Sequence, residues 1–118
     1  MIKMPILFVY GVPEDEKQNG LQVLCNYLKD AVCAVEELKM TPSKVTVFFP
    51  PDRFKAGLGE KIIVIAKIFA GPDRTDLVLQ KLAARICNAL VTLYPATDHV
   101  ECHLELINRD RSQVISRL

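Results

Sequence analysis

The apolar pattern of this chain is written twice, 58 residues apart, and that repeat limits the folds open to it more than any other feature. In the first copy Leu21, Leu24, Cys25, Leu28, Val32 and Val35 recur at steps of three and four. That spacing lines one face of an α-helix and predicts a helix over residues 15–38. In the second copy Leu79, Leu82, Ala83, Ile86, Leu90 and Leu93 keep the same intervals and predict a helix over 73–93. The shift lays Asp15 on Asp73, each placed at a helix start where a carboxylate accepts an orphan backbone N–H. It also lays residues 5–10 on 63–68, two apolar runs too brief for helices and rich in β-branched or aromatic types, so both read as strands.

Each predicted helix is followed by a proline-containing turn, Thr41-Pro42-Ser43 and Pro95-Ala96-Thr97-Asp98, and then by another strand-like run, 45–49 and 100–107. Each half is therefore strand, helix, strand, a βαβ unit whose crossover is right-handed. Pro50-Pro51-Asp52 ends the first unit and the glycine-bearing loop 57–59 leads into the second. The expected architecture is an α/β (α+β) fold: pseudo-repeats 5–53 and 62–111 form a four-stranded mixed sheet with two helices on one face. At 118 residues the chain has room for one core, so 1–118 is read as a single domain.

Charge and cysteine usage narrow the function classes. Fifteen basic and fourteen acidic side chains leave a formal +1, and the nearest basic group, Arg109, Arg111 and Arg117, is spread among polar residues. Binding phosphates by counterion release needs a concentrated basic face, so no nucleic-acid partner is expected. The apolar run 5–10 is too short for a membrane span or a signal peptide, and acidic Glu14, Asp15 and Glu16 follow it, so no membrane association is expected. Cys25, Cys33, Cys87 and Cys102 match neither a CxxC motif nor a zinc framework. They read as reduced thiols packing as small hydrophobes in a cytoplasmic protein.

Two helices cover only one face of a four-stranded sheet, yet the strands are apolar on both. Pro5, Leu7 and Val9 alternate with Ile6, Phe8 and Tyr10, and Ile63 and Ile65 alternate with Val64, Ala66 and Ile68. An open apolar face of that extent exceeds what soluble monomers leave exposed, which predicts a homo-oligomer over the alternative of loops or the C-terminal tail folding across it, for which the loops are short.

Met4-Pro5-Ile6 at the start, Val47-Phe48-Phe49-Pro50-Pro51-Asp52 after the first helix and Lys67-Ile68-Phe69-Ala70-Gly71-Pro72-Asp73-Arg74 in the second half resemble the tautomerase superfamily. The last of these is similar to the strand-to-helix turn of its macrophage migration inhibitory factor branch, as residues 95–103 are to the entry to that branch's fourth strand. The resemblance implies a homotrimer whose three sheets form a central barrel with helices outside. It also implies pockets at subunit boundaries, where an amino-terminal proline acts as base or nucleophile on keto–enol, phenylpyruvate-like or unsaturated acid substrates. Pro5 occupies the proline's place, but its nitrogen sits in the peptide bond to Met4, whose delocalised lone pair accepts no proton. A free amine there requires Met4 to be the start and to be removed. Carried over position by position, the branch's basic residue before the second strand falls on Met40 with Lys39 adjacent. Its isoleucine on the third strand falls on Ile65, and the tyrosine and asparagine of the fourth strand fall on Glu101 and His103.

Read from the residues, Glu101, His103 and Glu105 alternate with Cys102, Leu104 and Leu106, so a period of two puts the three polar groups on one face. A carboxylate two residues from an imidazole can orient its tautomer, a candidate acid–base pair. The same set could instead be a wet strand face, interface hydrogen bonds or ligands to a divalent metal. His99, one step before the predicted strand, is expected to point the other way as a solvated turn residue. Lys67 interrupts an apolar strand and needs water, a carboxylate or a bound anion; a structural ion pair is favoured over anchoring a substrate carboxylate, with Arg74 as a helper.

The candidate site is thus Pro5, Glu101 and His103 for catalysis and Lys39, Ile65, Lys67 and Arg74 for substrate binding, with no metal and no cofactor. The function expected is a tautomerase-like isomerase of small carboxylic acids. Its rivals are a non-catalytic homo-oligomer and a small-molecule or metal binding module.

Overall fold

A computed structural model describes residues 4–13, 15–51, 61–97, 99–108, 111 and 113. The lead 1–3, Asp52 with the loop 57–59, Asp98, Arg109 and Arg117 lie outside the described residues. In chain order come strand β1 (Ile6–Tyr10), helix α1 (Gln18–Cys33), strands β2 (Thr46–Phe48) and β3 (Lys61–Phe69), helix α2 (Asp76–Leu93) and strand β4 (His99–Ile107). Short 3-10 turns, Glu36–Leu38 and Pro42–Lys44, fill the path from α1 to β2.

The sheet runs β2-β1-β3-β4. β2 lies parallel to β1, β4 lies parallel to β3, and the two units meet through the antiparallel pair β1 and β3. Two βαβ units and a four-stranded mixed sheet are therefore present as the repeat requires. The correspondence is close, since Gln18 and Asp76, which begin the two helices, are themselves 58 positions apart. Leu24, Leu28 and Val32 of α1 and their counterparts Leu82, Ile86 and Leu90 of α2 are all fully buried. They pack with Leu7, Val9, Ile62, Val64, Ala66 and Ile68 into one core between the helices and the sheet. Burying side chains of this kind is worth roughly 1.5–3 kcal/mol each, which is what holds two helices to a sheet face neither could form on alone.

The helix ends differ from expectation. Asp15 and Asp73 are not caps: α1 follows Lys17, which caps with no side-chain bond, and the Thr75 hydroxyl accepts from the Val78 N–H at 3.3 Å. A hydroxyl one residue before the helix reaches that N–H, whereas Asp73 lies three residues before it, in the preceding turn. α1 also stops at Cys33 instead of 38, because Val35 takes an extended backbone before the Glu36–Leu38 turn. Among the described residues no helix is long and apolar enough to cross a membrane.

Candidate functional site

The sheet face turned away from the helices is built by strand parity. Reading across β2, β1, β3 and β4, one row is Thr46, Ile6, Lys67 and Glu105, the next is Phe48, Phe8, Ile65 and His103, and a third is Tyr10, Ile63 and Glu101. Phe8 and Phe48 stack with ring centroids 5.5 Å apart, and Phe48 is 40% exposed. Apolar rings and isoleucines thus fill much of the face, and its charge lies along β4 and at Lys67 of β3. The two-faced apolar strands expected from the sequence are present.

Along β4 the carboxylate of Glu101 lies between two imidazoles. Its Oε2 is 3.0 Å from Nε2 of His103 and its Oε1 is 2.7 Å from Nε2 of His99. These bonds, to His103 first and His99 second, hold the Glu101 carboxyl below the ordinary glutamate range. It is therefore ionised at neutral pH and can only accept, so each Nε2 donates its proton and the neutral ring keeps an unprotonated Nδ1. In His103, whose side chain is 65% exposed, that Nδ1 is a base open to a ligand.

The structure brings His99 into the cluster, against expectation. β4 begins at His99 itself, and 99, 101 and 103 share parity, so a period of two places all three on one face. Nothing in the alternation favoured the opposite orientation; the strand simply starts one residue earlier than 100. The expected acid–base neighbours Glu101 and His103 do meet, whereas Glu105 turns to Lys67 at 3.9 Å. The Lys67 ammonium also sits 5.6 Å from the Phe8 ring centroid. The ion pair favoured for Lys67 is thus present, and because both partners are well exposed it contributes little stability.

The remaining candidates fall elsewhere. Ile65 lies between Phe8 and His103 on the open face. Lys39 is exposed, in a left-handed conformation (φ 53°) just after the Glu36–Leu38 turn. Arg74 lies in the turn before α2, its backbone N–H donating to the Gly71 carbonyl and its buried Nε unpaired. Pro5 is joined to Met4 by a cis peptide bond, its side chain is fully buried, and its carbonyl accepts from the Thr46 N–H at 3.0 Å. Among the described residues no group of three or more His, Cys, Asp and Glu has a geometry that could hold a metal ion. The cysteines are free thiols, each partly covered. Burial pushes Cys102 up to about 12 and raises Cys87, to which the Glu101 charge adds.

Comparison with known proteins gives the fold a context. No protein-family model matches the chain, and no curated protein matches it either. Solved structures do. A fused 4-OT described as a wild-type asymmetric trimer aligns over 93% of this chain and 92% of its own, at 18% identity and a TM-score of 0.75. A fused 4-OT symmetric trimer covers 97% and 94%, at 20% identity and 0.74. N1, a member of the cis-3-chloroacrylic acid dehalogenase (cis-CaaD) family, covers 97% and 82%, at 17% identity and 0.76. Identities this low carry the fold alone. Over nearly its full length, this chain has the fold of the fused 4-OT trimers and of N1 of the cis-CaaD family.

Proposed function

We propose that this chain forms a homotrimer through its open sheet face and catalyses proton transfer on small carboxylic acids, a keto–enol tautomerisation. The observation that carries the chemistry is the Glu101 carboxylate bonded to Nε2 of His103, which leaves Nδ1 of an exposed imidazole as a base. In the reaction that Nδ1 takes a proton from the carbon next to the substrate's carbonyl. The C–H electron pair becomes a carbon–carbon double bond as the carbonyl π pair moves onto oxygen, and the resulting enolate takes a proton from water. The hydroxide left by that water takes the proton from His103 before the next turnover, so nothing is consumed. Lys67 serves as the carboxylate anchor, by exchanging its 3.9 Å contact with Glu105 for the substrate, and Ile65 forms the apolar floor between anchor and base. Assembly is supported by the apolar rows of the face and by the trimers described for fused 4-OT.

A second reading, a non-catalytic homo-oligomer, is favoured by Pro5, whose nitrogen is an amide and whose ring is buried. The two separate in an enol–keto assay with an arylpyruvate, followed by absorbance. On the first reading the wild-type protein accelerates the conversion and His103→Gln loses about a hundredfold or more, the usual contribution of a general base. Wild-type protein indistinguishable from buffer, or a His103→Gln variant as fast as wild type, rejects it in favour of the second.

A further inference from the structure

Glu101 offers two carboxylate oxygens and both are taken, the second by a residue outside the acid–base pair. We infer that His99 is a positioning residue of this site, gripping Oε1 of Glu101 so that Oε2 stays aligned on His103. The inference rests on the reading of Glu101 and His103 as the proton-transfer pair.

A glutamate has three rotatable side-chain bonds, and this one stands on an edge strand with its side chain 36% exposed. A single hydrogen bond to His103 would leave the carboxylate free to swing about that contact. Bonds to different oxygens from opposite directions along the strand fix its plane. The spacing explains why glutamate occupies the middle position. Same-face neighbours on a strand stand roughly 6.6–6.8 Å apart, so a long central side chain can meet an imidazole on either side while the two rings stay separate. The shorter of the two bonds, 2.7 Å, is the one to His99.

The surroundings leave this arrangement unopposed. Across the sheet Glu101 faces Ile63 and His103 faces Ile65, neither of which can bond a carboxylate. Tyr10 lies one strand further, beyond Ile63, and Lys61 is the register partner of His99. The Lys67 and Glu105 pair occupies the row past His103. From α2, the Cys87 thiol feels the Glu101 charge, and Cys102 alternates with the cluster on the helix side.

The test follows the Glu101 side-chain carboxyl carbon by NMR through an acid titration of the full chain, in wild type, His99→Ala, His99→Gln and His103→Ala. In wild type the midpoint lies below the ordinary glutamate value of 4.5. Removing His99 raises it part of the way, removing His103 does the same, and His99→Gln, which keeps an N–H donor, restores part of the loss. In turnover, His99→Ala lowers kcat by up to about a hundredfold with KM unchanged, the signature of a misplaced reacting group, and His99→Gln recovers part of it. A Glu101 midpoint identical in wild type and His99→Ala, with native circular dichroism, overturns the inference. So does a ¹⁵N spectrum showing neutral His99 protonated at Nδ1 instead of Nε2. If the wild type is inert while the midpoint responds to His99, the contact stands and the proton-transfer reading falls.

Discussion

Gly11→Ala perturbs the point where the first βαβ unit leaves the sheet. Gly11 follows β1 with φ +86°, in the left-handed region that costs a residue with a Cβ about 1–2 kcal/mol. A Cβ built there would overlap the carbonyl oxygen of Lys61 and lie 3.1 Å from its carbon and 3.3 Å from Cα of Ile62. These are backbone atoms of β3, which cannot rotate away, so the overlap adds the roughly 1–3 kcal/mol of an overpacked site. The expected loss is about 2–5 kcal/mol, a fall in Tm of roughly 8–20 °C for a chain of this size. Gly71→Ala is the control: no atom lies within 4 Å of its added Cβ, and the change should stay within about 0.5 kcal/mol of wild type. Thermal melts by circular dichroism at one fixed protein concentration read both, since assembly makes Tm concentration-dependent. Because Lys61 is the register partner of His99, the same displacement should also weaken turnover. Gly11→Ala melting within about 2 °C of wild type would refute the reasoning, since the backbone penalty alone is larger.

Leu24→Ala and Leu82→Ala strike equivalent, fully buried positions of the two units, and each should cost about 2–5 kcal/mol in urea unfolding; one of the pair being silent would mean the halves do not share a core. The hydrogen bonds that depress Glu101 stabilise the fold above the unfolded carboxylate range, and that stabilisation disappears as pH falls through the lowered folded value. Glu101→Gln should therefore narrow its stability gap to wild type as pH drops below 4.5, read by urea unfolding at several pH values. Cys102, pushed up to about 12, should resist iodoacetamide at pH 8 in the native protein and react once urea unfolds it.

The layout of the fold was legible because the apolar pattern answers to few competing demands. A helix face and a buried strand are fixed by the same side chains that make the core, so Leu24, Leu28 and Val32 and their partners 58 places on located both helices and their packing. The helix ends were less legible: Asp73 and Thr75 are both good caps in isolation, and the choice between them depends on the length of the turn after β3. The open face could be read from alternation along β1 and β3. What alternation could not supply was reach. Glu101 and His103 stand on one face by parity, but whether a carboxylate turns to one imidazole, to two or to Lys67 is decided by side-chain torsions. His99 was missed for want of one residue in placing the start of β4, and its parity with 101 and 103 was the signal that could have found it. Gly11 gave no sign in the sequence of the close approach it permits.

In the proposed trimer the β1 and β2 part of the open face, bearing the stacked Phe8 and Phe48, packs against copies of the same chain. Sedimentation equilibrium of the full chain at micromolar concentration measures this directly. The expected result is a single species of three times 13.3 kDa that Phe48→Lys dissociates. A wild-type protein that sediments at 13.3 kDa across the concentration range would contradict it.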